Sequence, residues 1–180
     1  MHEFYGSELG RGRLILSDRD IVRELNEGSL RIIPIKEDAI QPCSVDLELA
    51  SELKTLDGKT IDISQDSYHL KPKEFVLGST NEYVEIPNNL CGQVDGRSSI
   101  ARLGISIHQT GGYIDAGFRG NITLEIFNAS EKPFELMLGQ PICQLIIHVL
   151  SSECLRPYGS SGLGSKYQDS EGTIRSRYHV

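Results

Sequence analysis

Residues 97–125 bring together an Arg-Ser-Ser turn, a second arginine, a glycine pair, an aspartate and a glutamate, and their polar positions follow no amphipathic period. Gly96-Arg97-Ser98-Ser99 offers two hydroxyls, consecutive peptide N–H groups after a glycine, and a forked guanidinium. That is the composition of an anion nest. The same string also reads as a polar turn into a helix with Ser98 or Ser99 as N-cap, and a helix N-terminus is itself an anion site. In Ile122-Thr123-Leu124-Glu125-Ile126-Phe127, strand alternation puts Ile122, Leu124 and Ile126 on one face and Thr123, Glu125 and Phe127 on the other. On a solvated face Glu125 would only meet water or a lysine. Aimed into an interface beside Phe127 it would be desolvated, which favours the proton-carrying form a proton shuttle needs. Arg102 is a natural partner to hold it ionised.

Gly111-Gly112-Tyr113-Ile114-Asp115 suggests a hairpin whose backbone approaches a ligand closely. Tyr113 could lie flat against a base or sugar, and Asp115 could accept from a sugar hydroxyl or orient a water. Asp115-Ala116-Gly117 reads equally as a plain turn. Gln144, in the apolar run from Ile142 to Ile147, needs a backbone or ligand partner if it is buried.

The elements that must position these groups are short. Leu16-Ser17-Asp18-Arg19-Asp20-Ile21 is a helix start, with Ser17 at the N-cap, Asp20 at the capping-box position and Leu16 and Ile21 as a staple. The helix is expected to end at Gly28. From Leu30 onward, β-type runs alternate with turns. The runs are Arg31–Ile35, Ser44–Leu49, Glu74–Ser79, Tyr83–Ile86, Cys91–Val94, Ile105–His108, Ile122–Phe127 and Pro141–Leu150. Turn signals at Asp57-Gly58, Pro87-Asn88-Asn89, Gly111-Gly112 and Leu138-Gly139 have the spacing of a sandwich or barrel. The pattern predicts a mainly β, jelly-roll-like domain with one N-terminal helix. The expected divisions are a loose arm over residues 1–13, a β domain over 14–157, and a Gly/Ser-rich tail over 158–180 that could serve as a mobile lid.

The net charge of −7 over 180 residues disfavours a broad basic nucleic-acid face. An anionic ligand would need a few placed arginines, peptide N–H groups or a divalent cation. The chain shows no signal-peptide pattern and no apolar run of membrane length, so it reads as soluble and cytoplasmic. Cys43, Cys91, Cys143 and Cys154 form no C-x-x-C pair and the five histidines are dispersed, so no zinc spacing arises and free, mostly buried thiols are expected.

The strings G-R-S-S-x-A-R-L-G and T-x-x-x-I-D-x-G-F-x-G-x-I-T-L-E-x-x-N resemble the signature of the dCTP deaminase family within the dUTPase-related superfamily. Ser17–Ile21, Gln41–Leu47, Gly139-Gln140, Cys143-Gln144-Leu145, Arg156-Pro157-Tyr158 and Lys166-Tyr167 extend the resemblance over the chain from Leu14 onward. It implies a distorted jelly-roll (β-clip, dUTPase-like) fold, a homotrimer with sites at subunit boundaries, and zinc-independent deamination at cytosine C4. Glu125 would activate the attacking water, Ser98 and a carbonyl near Thr110-Gly111 would position it, and Arg102 would orient Glu125. Arg97, Ser98, Ser99, Gln144, Tyr158 and Lys166 would bind the triphosphate, with Mg²⁺ entering on the nucleotide. The resemblance extends substrate contact to Ile100, Ala101, Gly111, Thr123 and Leu124, with Tyr113 and Asp115 at the deoxyribose. It leaves dTTP as a candidate feedback inhibitor.

Gly111-Gly112-Tyr113-Ile114-Asp115 is similar to the loop of bifunctional members that carry dCTP to dUMP, in which the residue matching Asp115 orients a second, hydrolytic water. A deaminase that releases dUTP, a dUTPase tolerating Glu125, and a non-catalytic nucleotide-binding regulator are the alternatives. One departure concerns the tail: similar tails carry glutamine four residues after the lysine, where this chain has Ser170.

Overall fold

The computed structural model describes residues 14–178, so the expected arm at 1–13 lies outside the described residues. Strands are numbered in chain order. One six-stranded sheet runs β11 (Tyr113–Ile114), β9 (Leu90–Gly96), β14 (Pro141–Val149), β4 (Ser44–Glu48) and β3 (Ile40–Gln41), and β1 (Leu14–Ile15) also pairs with β14. The second runs β10 (Ile105–Ser106), β12 (Arg119–Asn128), β8 (Phe75–Glu85), β5 (Glu52–Thr55) and β6 (Thr60–Asp62), with β2 (Arg31–Ile33) on β8. A small pair, β7 (Tyr68–Leu70) with β13 (Phe134–Leu136), completes the sheets.

The sheets bury alternating apolar side chains against each other. Val45, Leu47, Leu145 and Ile147 come from the first sheet, and Leu53, Val76, Val84, Leu124 and Ile126 from the second. The strict inside–outside alternation along β12 follows from the two-residue period of a strand. It leaves Thr123, Glu125 and Phe127 on the outer face.

The helix α1 (Asp18–Glu27) ends at Gly28, whose φ of 73° is the left-handed conformation a glycine adopts without a Cβ penalty. Its start differs from the expected capping box. The Ser17 hydroxyl makes no bond to the helix backbone and lies 3.4 Å from Asp20 Oδ2, while Asp20 turns to Arg23 at 2.6 Å. Two expected strands, Glu74–Ser79 and Tyr83–Ile86, are one continuous β8. All four cysteines are free, but only Cys143 is buried and Cys43 is exposed. Among the described residues no helix is long and apolar enough to cross a membrane.

Candidate active site

β12 presents Glu125 opposite Leu77 and Phe127 opposite Phe75 in the ladder with β8. The half-buried Glu125 carboxylate is held by the chain that follows β10: Gln109 donates its peptide N–H to Oε2 at 3.1 Å, and its Nε2 donates to the Glu125 carbonyl at 3.4 Å. Over this carboxylate opens a cavity of about 610 Å³, reached also by Gly111, Tyr113, Asp115, Thr123 and Tyr158. That volume lies within the range of small-molecule sites, ~300–1,000 Å³. Phe75 and Leu77 make one side apolar, while Asp115, Thr123 and Asn121 make another polar. Six residues expected at the site from sequence thus meet in one cavity.

The two glycines of the loop do different work. Gly111 is open, but a Cβ on Gly112 would come within 2.9 Å of the Val94 carbonyl, because Val94 donates to the Gly112 carbonyl at 2.7 Å. The close approach is therefore to β9. Tyr113 follows, 62% exposed, with its ring centroid 6.5 Å from that of His148. Past Asp115 the chain turns at Gly117, whose φ is +85° and where a Cβ would lie 2.5 Å from Pro157 Cβ. The turn admits Tyr158, which donates its N–H to the Ala116 carbonyl at 2.8 Å and packs its ring on Phe118. Burial, and then the charge of Asp115, push the Cys91 thiol pKa up.

A second group lies apart. α2 (Ser98–Ala101) is a single turn whose N-cap is Arg97, so the serines sit in the first turn and not at the cap. Ser98, Ser99, Ala101 and Arg102 are exposed and none lines the Glu125 cavity. No ion pair joins Arg102 to Glu125 within the chain, where the carboxylate accepts the Gln109 N–H. The Ile100 and Leu124 side chains point into the core, so contact from either position is confined to its peptide groups.

Arg97 pairs with Asp46 at 3.2 Å and reaches toward the Pro141 carbonyl at 3.4 Å. Gln144 lies between Asp46 and Asp95 in the ladder. Arg97 and Asp46 also line a separate cavity of about 340 Å³, with Lys36, Glu48 and Glu82. Glu82 is only 6% exposed and accepts from the Glu48 N–H with both oxygens, at 3.0 and 3.2 Å. Burial pushes its pKa up to about 7. Burial also raises Asp46, against the opposing pull of Arg97.

The tail passes over β12 on its own chain. Ile174, Arg175 and Ser176 form a wall of the Glu125 cavity, while Lys166 is exposed, 5.1 Å from the centroid of the Tyr178 ring. The Ser170 hydroxyl, at the position where similar tails carry glutamine, donates to the Tyr167 carbonyl. Arg175 was among the tail cations expected to close over a phosphate ligand, whereas Gln109, Ile174 and Ser176 were not singled out from sequence. Their roles rest on a peptide N–H and on long-range contacts that no local pattern signals. Among the described residues no cluster of three or more His, Cys, Asp or Glu side chains is placed to hold a metal ion.

The arrangement of two packed β-sheets is shared with solved structures. The chain aligns with the 2′-deoxycytidine 5′-triphosphate deaminase of Agrobacterium tumefaciens at a TM-score of 0.65 and 22% identity, over 77% of this chain and 49% of that one. This chain therefore spans about half the length of that protein. The native EIAV dUTPase aligns at a TM-score of 0.52 and 25% identity, over 72% of this chain and 94% of that one. The fold is thus that of the dCTP deaminases and dUTPases.

The dCTP deaminase-like family matches residues 15–150. Relatives named dCTP deaminase, dUMP-forming, include those of Dictyoglomus thermophilum, 43% identical over 93% of this chain and 96% of that protein, and Methanothermobacter thermautotrophicus, 42% identical over 85% and 88%. The chain belongs to the dCTP deaminase-like family.

Proposed function

We propose that the protein converts the Mg²⁺ complex of dCTP to dUMP, diphosphate and ammonia with two waters, supplying dUMP for thymidylate synthesis. The observation that carries the reading is the Glu125 carboxylate, held by a peptide N–H in a cavity that Tyr113 and Asp115 also line. Glu125 takes a proton from water as that water attacks cytosine C4, then delivers a proton to the departing ammonia. Asp115 and Tyr113 hold the deoxyribose, and Asp115 orients the second water against the α-phosphate. Magnesium enters as part of the substrate and neutralises phosphate charge.

The triphosphate half of the site falls to Arg97, Ser98, Ser99 and Gln144, with Arg102 orienting Glu125. These groups lie outside the Glu125 cavity of their own chain, so the complete site needs a second copy. A homotrimer, the assembly the family resemblance implies, provides three such boundaries. Tyr158 supports the cavity from the same chain as Glu125; Lys166 approaches the phosphates from the tail.

The test is direct. Purified protein with Mg²⁺ and dCTP should release ammonia, dUMP and diphosphate in equal amounts, with little free dUTP at any time. Accumulating dUTP would remove the hydrolytic step, and unchanged dCTP would remove the reading.

A further inference from the structure

We propose that Thr173 is a peg that fixes the C-terminal tail to its own chain and so positions Ile174, Arg175 and Ser176 as a wall of the Glu125 cavity. Thr173 is fully buried between the exposed Glu171 and Arg175. Its hydroxyl donates to the Glu52 carbonyl at 2.8 Å and lies 3.2 Å from the Ser79 hydroxyl, while its own carbonyl accepts from Lys54 Nζ at 2.6 Å. The residues on either side are bound to β12. Gly172 N–H donates to Asn121 Oδ1 at 3.0 Å, and Ile174 N–H donates to Thr123 Oγ1 at 3.2 Å.

Upstream, Asn121 N–H donates to the Ser170 carbonyl at 2.9 Å, and the Arg119 guanidinium grips Asp169 at 2.9 and 3.2 Å. A Cβ on Gly120 would come within 2.9 Å of the Ser170 carbonyl, so the crossing is backbone on backbone. Buried polar groups are costly unless paired, and here the hydroxyl and carbonyl of Thr173 and the N–H groups on either side of it are paired in one register. An apolar anchor could slide along the groove; this one cannot without breaking several bonds together. The Thr123 hydroxyl, which also lines the cavity, thereby positions the tail as an acceptor.

The test compares Thr173→Val, which keeps the shape and removes the hydroxyl, with Thr173→Ser, which keeps the hydroxyl, and with Lys54→Met, which leaves the buried residue in place. Trypsin cleavage after Arg175 and Arg177 reads tail release, and kcat and KM for Mg·dCTP read the wall. Thr173→Val should be cut about tenfold faster, with KM raised about fivefold and kcat within about twofold, the effect of losing one buried hydrogen-bonded pair. Lys54→Met should be cut about threefold faster, and Thr173→Ser should match the parent within about twofold. Cleavage and KM unchanged in both Thr173→Val and Lys54→Met would overturn the peg, as would Thr173→Ser behaving like Thr173→Val. The KM arm rests on the dCTP reading and the cleavage arm does not. Faster cleavage in a protein that never turns over dCTP would sink the functional reading and leave the peg standing.

Discussion

Replacing Glu82 by glutamine should stabilise the protein in alkaline solution and do little in acid. Burial is the largest influence on this carboxyl; the neighbouring Glu48 charge adds to it, and Lys36 and the N–H of Glu48 oppose it. Cys143 and Asp46 lie close enough to complete the surroundings, for the charges of both acids help to raise the Cys143 thiol. With a folded pKa of about 7 against an ordinary 4.5, the folded chain keeps a proton that the unfolded chain has released across that interval. Stability must then fall as pH rises from about 4.5 to 7, and above 7 the buried charge is carried in full. A gap of that size corresponds to roughly 3 kcal/mol.

Glutamine can still accept the Glu48 N–H and never ionises. Its Tm at pH 8 should exceed that of the parent by about 6–12 °C, at the ~2–4 °C per kcal/mol of a domain this long. At pH 5 the two should melt together. Scanning calorimetry or circular dichroism at fixed protein concentration is the assay, since the proposed assembly would make Tm depend on concentration. A Tm difference of the same size at pH 5 and pH 8, or a less stable variant at pH 8, would refute the account of Glu82.

Three further outcomes are expected. Glu125→Gln should lower ammonia release from dCTP by about 10²–10⁴-fold while dUTP, supplied directly, is still cleaved; undiminished deamination would show that another group moves the proton. On the proposed site shared between copies, Glu125→Gln and Arg102→Ala chains, each inactive alone, should regain about a quarter of parental activity when unfolded and refolded together, because each shared site draws an intact Glu125 and an intact Arg102 independently. A mixture as inactive as its parts would place both residues in one chain's site. Gly117→Ala should cost about 2 kcal/mol or more, from a positive φ and a Cβ pressed on Pro157, and should raise KM because the displaced segment carries Tyr158; a neutral melt in urea would contradict this.

What could be read from sequence divides along local and non-local lines. α1 was legible because its stop residue, Gly28, is its own, and β12 because its alternation is uninterrupted from Ile122 to Phe127. The hairpin of β5 and β6 left only its Asp57-Gly58 turn visible, since Glu-Leu-Lys-Thr and Thr-Ile-Asp carry one apolar residue each. β8 was read as two strands, Glu74–Ser79 and Tyr83–Ile86, because the polar Thr80, Asn81 and Glu82 between them look like a loop. Ser79 and Thr80 are instead buried, and their hydroxyls bond to Thr173 and to the Ile122 N–H. Glu125 was found from its type and position, but its holder was not: a peptide N–H at Gln109 has no sequence signature.

The irregularity in the β8–β12 ladder joins these observations. Pairing shifts between Asn121 and Thr123, where Ile122 N–H turns to Thr80 Oγ1. The Asn121 side-chain amide spans the gap, donating to the Thr80 and Glu82 carbonyls at 3.1 Å each while its oxygen takes the Gly172 N–H. A bulge leaves ladder groups unpaired, and one satisfied by a side chain and a crossing segment becomes a fixed docking point. The tail enters there, two residues from Thr123 and four from Glu125 along the same outer face, and its next residues reach the cavity wall. Asn121→Ala would therefore loosen the ladder and the wall together, whereas Thr173→Val loosens only the wall. The ladder break, the tail and the Glu125 carboxylate share one stretch of β12, so hydrogen bonds at the bulge, besides the packing of Tyr158 on Phe118, hold a tail rich in glycine, serine and charge against the cavity.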